Sequence, residues 1–253
     1  MKIRNLLKFF RIKIAFYISM VSAFGYLLFN PLNSNLLIVS AAAFFAGIAG
    51  YSHNNFFDYE EDKVNKRDLI INKTFLIGPM LSFFLGLFLI INFNLHSILL
   101  YSLPVILSWI YSSLRLKRFF LLKNVYTSFG ITLIFLFGAS LFNLGWFLLP
   151  SSFFIFTTFL AASICSDLRD YKGDKEAGIK TIPVAIGFKK TKWVIIVLLL
   201  ASFYLSFKIF PPASLFILLV ITLVFFNKPE KAHLVSGLMF FILNVLIFYN
   251  KLL

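Results

Sequence analysis

The chain is poor in acid. Of its 253 residues only ten are Asp or Glu, against 24 Lys or Arg, and charged residues of both signs make up 13% of the total. Cysteine is rarer still. Cys165 stands alone, which excludes a disulfide within the chain and any metal site built from several thiolates. Its expected role is that of a small apolar residue lining the end of an oily segment. The three histidines, His53, His96 and His233, fall at the ends of three different apolar runs. That scatter argues against a shared histidine metal site and for interfacial positions.

What is abundant is grease. Apolar residues are 60% of the chain and the mean hydropathy is +0.90, far above the roughly 45–50% of soluble domains. Nine apolar runs recur along the length, near residues 9–29, 36–56, 75–93, 97–114, 124–142, 146–165, 193–210, 212–226 and 233–250. Each is read as long enough to cross a hydrocarbon core of ~30 Å as a helix. Gly25, Pro104, Gly130 and Gly138 lie inside them, as bundled membrane helices permit. The first run is too long, and too lacking in a small-residue cleavage site, for a removable signal peptide. The expected fold is an all-α integral membrane bundle of nine transmembrane helices, a single domain over residues 1–253. The 35 phenylalanines mostly supply lipid-facing and packing surface.

The net charge of +14 raises the question of nucleic acid, and its distribution answers it. With nine spans and the N-terminus inside, 22 of the 24 basic residues fall in cytoplasmic segments, and only Lys208 and Lys251 fall outside. That split is the positive-inside bias, so the charge reports topology and a secondary attraction to anionic lipid. No nucleic-acid partner is expected. The N-terminus and the loops carrying the acidic residues are assigned to the cytoplasm, the C-terminus to the outside.

The few acids are concentrated. Asp58, Glu60, Glu61, Asp62 and Asp68 form one cluster, and Asp167, Asp170, Asp174 and Glu176 form another, each after an even-numbered run. Asn54, Asp58 and Asp62 are spaced by four and share a helix face. Carboxylates at a helix C-terminus oppose the macrodipole, so a row of them is unfavourable unless a cation is bound. Mg²⁺, which takes one or two carboxylates plus substrate phosphates, meets that need. The offset from Asp58 to Asp170 is 112, as is that from Asp62 to Asp174, with four runs between the clusters. This suggests a parallel internal repeat in which runs two to five match six to nine. Two opposed carboxylate pairs suit two Mg²⁺ ions bridging a diphosphate. In the intervening loop, Lys117 and Lys123 are candidates to complete its neutralisation, whereas Arg115 and Arg118 are read as topological charge.

These motifs carry a resemblance. Asn54-xxx-Asp58-xxx-Asp62, the later "DYKGDKEAGIKTIP" from Asp170 to Pro183, and the "YS…LK…N" loop from Tyr111 to Asn124 resemble the UbiA superfamily of intramembrane prenyltransferases. The resemblance implies a helical bundle whose cavity opens to lipid. It implies that Asn54, Asp58, Asp62, Asp170 and Asp174 hold Mg²⁺ and an isoprenyl diphosphate, with Lys117 on the diphosphate and Asp167 nearby. Asn124 closes the loop motif and joins Lys123 as a diphosphate contact. The chain departs from many relatives at Ser166, where they carry Lys or Arg, and Arg169 or Lys172 is expected to substitute. It also reads "NKRDLIINKTFLIG" where many have an Arg-Pro-containing stretch.

The expected chemistry is ionisation of an allylic diphosphate, followed by attack of a lipophilic acceptor on a cation shielded by aromatic faces. The second motif is most similar to the digeranylgeranylglyceryl phosphate synthase type, which makes geranylgeranylglyceryl phosphate the expected acceptor; an aromatic quinone precursor is the alternative. A CDP-alcohol phosphotransferase would need a contiguous motif opening Asp-Gly, and no Asp-Gly occurs. An ion transporter would place ionisable residues within its spans, where this chain has almost none.

Overall fold

A computed structural model describes residues 9–57, 76–114, 120–141, 145, 148–176 and 178–252. Among the described residues every regular element is a helix. These are α1 (Ile12–Phe29), α2 (Asn35–Phe57), α3 (Ile77–Leu89), α4 (Leu95–Ser113), α5 (Phe120–Ala139), α6 (Leu148–Arg169), α7 (Tyr171–Glu176), α8 (Ile182–Ile186), α9 (Phe188–Ile209), α10 (Pro211–Phe225) and α11 (Pro229–Leu252). Seven of them (α1, α2, α4, α5, α6, α9 and α11) are long and apolar enough to cross a membrane. The apolar helices α3 and α10 have 13 and 15 residues. All nine expected runs coincide with a helix, and α3 stops short of its expected end at residue 93. There the chain turns through Ile90–Phe93, and Asn94 caps α4 by accepting from the Ser97 amide at 2.8 Å. The two short helices α7 and α8 were not expected.

The contacts divide into two compact units. One comprises Met1–Leu116 with Leu133–Asn143, the other Lys117–Thr132 with Leu144–Leu253.

In the first unit α2 is the hub, packing against α1, α3 and α4. Glycine makes the close approaches. A Cβ on Gly25 would collide with the carbonyl oxygen of Phe135, and one on Gly138 with that of Ser22, so α1 and the last turns of α5 touch backbone to backbone. Small residues at such crossings are how membrane helices gain packing where burial from water is no longer available. The buried Asn30 side chain seals the same crossing, donating to the carbonyls of Gly138 at 3.1 Å and Ala139 at 3.2 Å. At the other face of α1, a Cβ on Gly47 would meet the Ala15 backbone at 2.8 Å.

In the second unit α6 packs against α9 and α11, α9 against α10, and α10 against α11. Thr157 and Ser202 bridge α6 to α9 through their hydroxyls at 2.7 Å. Cys165 is buried as expected, its thiol directed at the Pro229 carbonyl 3.6 Å away. The large apolar side chains that point outward, such as Phe88, Leu99, Val197, Phe207 and Leu215, suit hydrocarbon rather than water.

Candidate functional site

Two clusters carry the polar chemistry, one in each unit. In the first unit it gathers where α2 meets α4. Trp109 Nε1 donates to the Ala49 carbonyl at 3.1 Å, Ser108 Oγ to that of Gly50 at 3.3 Å, and Ser112 Oγ to the Asn54 side-chain oxygen at 3.0 Å. These bonds climb one face of α2 and end on Asn54. The Ser112 hydroxyl is shared with the Ser108 carbonyl at 2.9 Å, and the Asn54 side-chain oxygen faces α4. His53 is half-buried and stacks on Trp109 at 5.4 Å, a packed position rather than a simply interfacial one. Asn55, fully buried, ties α2 back to the chain's start by donating to the Phe9 carbonyl at 2.7 Å. Asp58, Asp62 and Lys117 lie outside the described residues.

In the second unit the cluster is built on the last turns of α6 and the first turns of α5. Asp167 is 4% exposed, and its two carboxylate oxygens take different partners. Lys123 Nζ sits 2.7 Å from Oδ1, and Asn124 Nδ2 donates to Oδ2 at 3.0 Å. Ser163 Oγ, one turn earlier on α6, donates to the Asn124 oxygen at 2.5 Å. Asn124 is therefore clamped on both its amide atoms and wholly buried. A buried carboxylate is tolerated only when paired and hydrogen-bonded, and Asp167 has both.

The helical hydrogen-bond pattern runs on past Asp167. The Asp170 amide donates to the Ser166 carbonyl at 3.2 Å and the Asp174 amide to the Asp170 carbonyl at 3.0 Å. Asp170 and Asp174 are thus one turn apart, as their spacing predicts, although a turn at Asp170 divides α6 from α7. Arg169 grips Asp170 with Nε and Nη2, each at 2.8 Å, and Nη2 also donates to Ser166 Oγ at 3.1 Å. So the serine at the departing position holds the arginine expected to stand in for it.

Asp174 has the least comfortable charge. Burial first, then repulsion from Asp167 and Asp170, raises its carboxyl above the ordinary range, with Lys123 and the Thr181 hydroxyl pulling the other way. The segment that follows α7 is shaped by Gly178, whose φ of +68° lies in the left-handed region and lets the Ile179 amide return to the Asp174 carbonyl at 2.9 Å. Among the described residues no three His, Cys, Asp or Glu side chains come together as a ligand set. Asp170 and Asp174 stand one turn apart, and the Arg169 guanidinium is paired with the first of them.

Arg169 and Lys172 point elsewhere than Lys123. Both line an open cavity of about 740 Å³ together with the turn between α10 and α11, and neither Lys123, Asp167 nor Asp174 lines it. The residue that sequence reasoning missed is Ser163, while Ser112 stood in the quoted loop motif without an assigned role. Each touches an expected site residue from a neighbouring helix, and only its small polar character within an apolar run marked Ser163 out.

The UbiA prenyltransferase family model matches residues 14–246. The chain belongs to the UbiA prenyltransferase family. It is an integral membrane protein and a prenyltransferase. A digeranylgeranylglyceryl phosphate synthase from Sulfolobus acidocaldarius is 30% identical over 248 residues, covering 87% of each chain. One from Methanosphaera stadtmanae is 27% identical over 207 residues, covering 76% of this chain and 75% of that one. Among solved structures, a UbiA homolog from Archaeoglobus fulgidus bound to GPP and Mg²⁺ superposes with a TM-score of 0.71, at 16% identity, over 96% of this chain and 99% of that one.

Proposed function

We propose that this protein transfers an isoprenyl chain from an isoprenyl diphosphate to a lipophilic acceptor inside the membrane, and that the acceptor is geranylgeranylglyceryl phosphate. The Asp167–Asp170–Asp174 cluster with Lys123 carries the reading: three carboxylates follow one another at a helix end, and the cationic partners supplied leave Asp174 strained toward protonation. That arrangement suits a bound divalent cation and not an empty loop. The synthases named above support the ether-lipid acceptor, and the A. fulgidus homolog supports a prenyl diphosphate donor with Mg²⁺.

In this reading Asn54, Asp58 and Asp62 would form one ligand row for Mg²⁺ and the diphosphate and Asp170 and Asp174 a second, for two Mg²⁺ in all. Bound there, the metal withdraws electron density from the diphosphate leaving group. Lys117 and Lys123 supply further positive charge to the leaving oxygens, and Asn124 and Asp167 hold Lys123 in place. Asn54, its oxygen facing Ser112, offers its N–H donors to phosphate. Arg169 leaves Asp170 when a stronger cation arrives. The aromatic lining stabilises the allylic cation, and the membrane excludes water that would capture it.

We also assign the chain one catalytic domain over residues 1–253, nine spans with α3 and α10 as the short ones, a cytoplasmic N-terminus and an outer C-terminus, and a parallel repeat relating α2 to α6. The charge asymmetry supports the orientation, and the common 112-residue offset supports the repeat. Incubation of purified protein with radiolabelled geranylgeranyl diphosphate, Mg²⁺ and a panel of acceptors tests the function. A labelled ether lipid formed with geranylgeranylglyceryl phosphate alone is expected; a labelled aromatic product would move the assignment to quinone precursors.

A further inference from the structure

Apart from Arg169, the residues lining the 740 Å³ cavity beside α7 have no part in the chemistry derived above, and its walls are rich in cations. Four cations line it, Arg169, Lys172, Lys228 and Lys231, against the single carboxylate of Glu230. Arg169 is occupied by Asp170, but no ion pair joins Lys172, Lys228 or Lys231 to a carboxylate among the described residues.

The turn that presents Lys228 is constructed. Asn227 sits at φ +57°, a left-handed conformation that asparagine tolerates. There its amide donates to the Val224 carbonyl at 3.1 Å and the Lys228 amide to that of Leu223 at 2.8 Å. Lys192 on α9 clamps the turn from the side, donating to the Phe225 carbonyl at 2.9 Å and the Asn227 side-chain oxygen at 3.1 Å, over the Phe225 ring. The Lys228 carbonyl accepts the first helical bond of α11, from Ala232 at 3.0 Å, so the positive end of a 24-residue helix adds to the wall. Tyr171 and Phe188 also line the cavity, their rings 5.9 Å apart.

We propose that this cavity is a phosphate-headgroup site for an amphiphilic lipid, with the phosphate on Lys172, Lys228 and Lys231 and the glycerol end of the chain against Tyr171 and Phe188. A cavity of this size accommodates a glycerophosphate head. Two sources share that chemistry: the phosphate-bearing acceptor awaiting transfer, and anionic lipid of the surrounding leaflet. Only the acceptor arm rests on the prenyl-transfer reading.

The test measures binding without turnover. Detergent-purified protein is titrated with dioctanoyl phosphatidic acid and, separately, with dioctanoylglycerol, and bound lipid is counted by native mass spectrometry. One phosphatidic acid is expected to bind saturably and the neutral lipid not. Lys228→Gln/Lys231→Gln should weaken binding roughly 25-fold, and Lys228→Glu/Lys231→Glu by more, since each lysine near a lipid phosphate is worth roughly a five-fold factor. The Gln variant keeps the test decisive if charge reversal impairs folding. A raised acceptor KM at unchanged kcat in either variant identifies the acceptor as occupant; an unchanged KM with loss of co-purifying anionic lipid identifies the leaflet. Equal binding of the neutral lipid, or wild-type affinity in the Gln variant, overturns the proposal. Absence of prenyl transfer in the wild type would leave these binding results standing and would count against the function alone.

Discussion

Asp167 and Asp174 lie seven residues apart and should answer the same mutation in opposite directions. Asp167→Ala strips a buried carboxylate from Lys123 and Asn124. The Asn124 amide, wholly buried, then keeps a donor without a partner, a loss of ~1–3 kcal/mol. Breaking a fully buried ion pair costs ~3–5 kcal/mol, but Lys123 is 44% exposed and turns to solvent, so that figure is heavily discounted. The combined expectation is a loss of about 2–3 kcal/mol, or roughly 5–10 °C in midpoint for a chain of this size. Asp174→Asn removes a charge that burial and two neighbouring carboxylates disfavour, so the metal-free protein should be unchanged or slightly more stable. Thermal unfolding of both variants in detergent with EDTA, followed by tryptophan fluorescence, gives the comparison. If Asp174→Asn lost as much as Asp167→Ala, Asp174 would be a structural residue and the division of labour between the two would be wrong.

The same shift fixes a pH dependence. Because Asp174 has a folded pKa above its unfolded value of 3.8, its contribution to stability is complete below pH ~3.8 and is lost as pH rises through the folded value; metal-free wild type should therefore gain less from Asp174→Asn at pH 4 than at pH 7, as paired melting curves would show. Asp58→Ala should abolish prenyl transfer with little loss of folded protein, and a turnover near wild type at saturating Mg²⁺ would remove Asp58 from the site. Gly138→Val should destabilise strongly, by ~3 kcal/mol or more, because its side chain would enter the Ser22 carbonyl; yield of monodisperse protein is the readout. Cysteines introduced at positions 33 and 172 should label from opposite sides of the membrane, and equal accessibility would undo the nine-span topology.

Helix placement was legible because hydropathy along a membrane chain is a one-dimensional signal: each apolar run has its helix, with ends displaced by a few residues where Asn94 caps α4 or where Lys189 and Lys190 extend the start of α9. The four-residue spacing of Asp170 and Asp174 also survived, since a helical hydrogen bond joins them. Partners distant in the chain were not legible. Lys123 and Asp167 are 44 residues apart, and nothing in either segment gives the rotation of α5 against α6 that brings them to 2.7 Å. Ser163 reads as an ordinary polar residue of an oily helix, and nothing in the loop motif that holds Ser112 gives its contact with Asn54. Nor did sequence separate Arg169 and Lys172 from Lys123, because membership of a cavity depends on which way a short helix leaves the membrane face.

The coupling between metal and donor tests most directly the proposal that two acidic rows serve one diphosphate. Each supplies charge the other lacks, so diphosphate should raise Mg²⁺ affinity and Mg²⁺ should raise diphosphate affinity by the same factor. A geranylgeranyl thiodiphosphate, which resists ionisation, allows the measurement without turnover. Melting midpoints in detergent with Mg²⁺ alone, with the analogue alone and with both should show a joint shift larger than the sum of the separate ones, in line with mass-action stabilisation by a ternary complex. That excess should vanish in Asp62→Asn. Additive shifts in the wild type, or full cooperativity in Asp62→Asn, would mean that the two rows do not share a substrate.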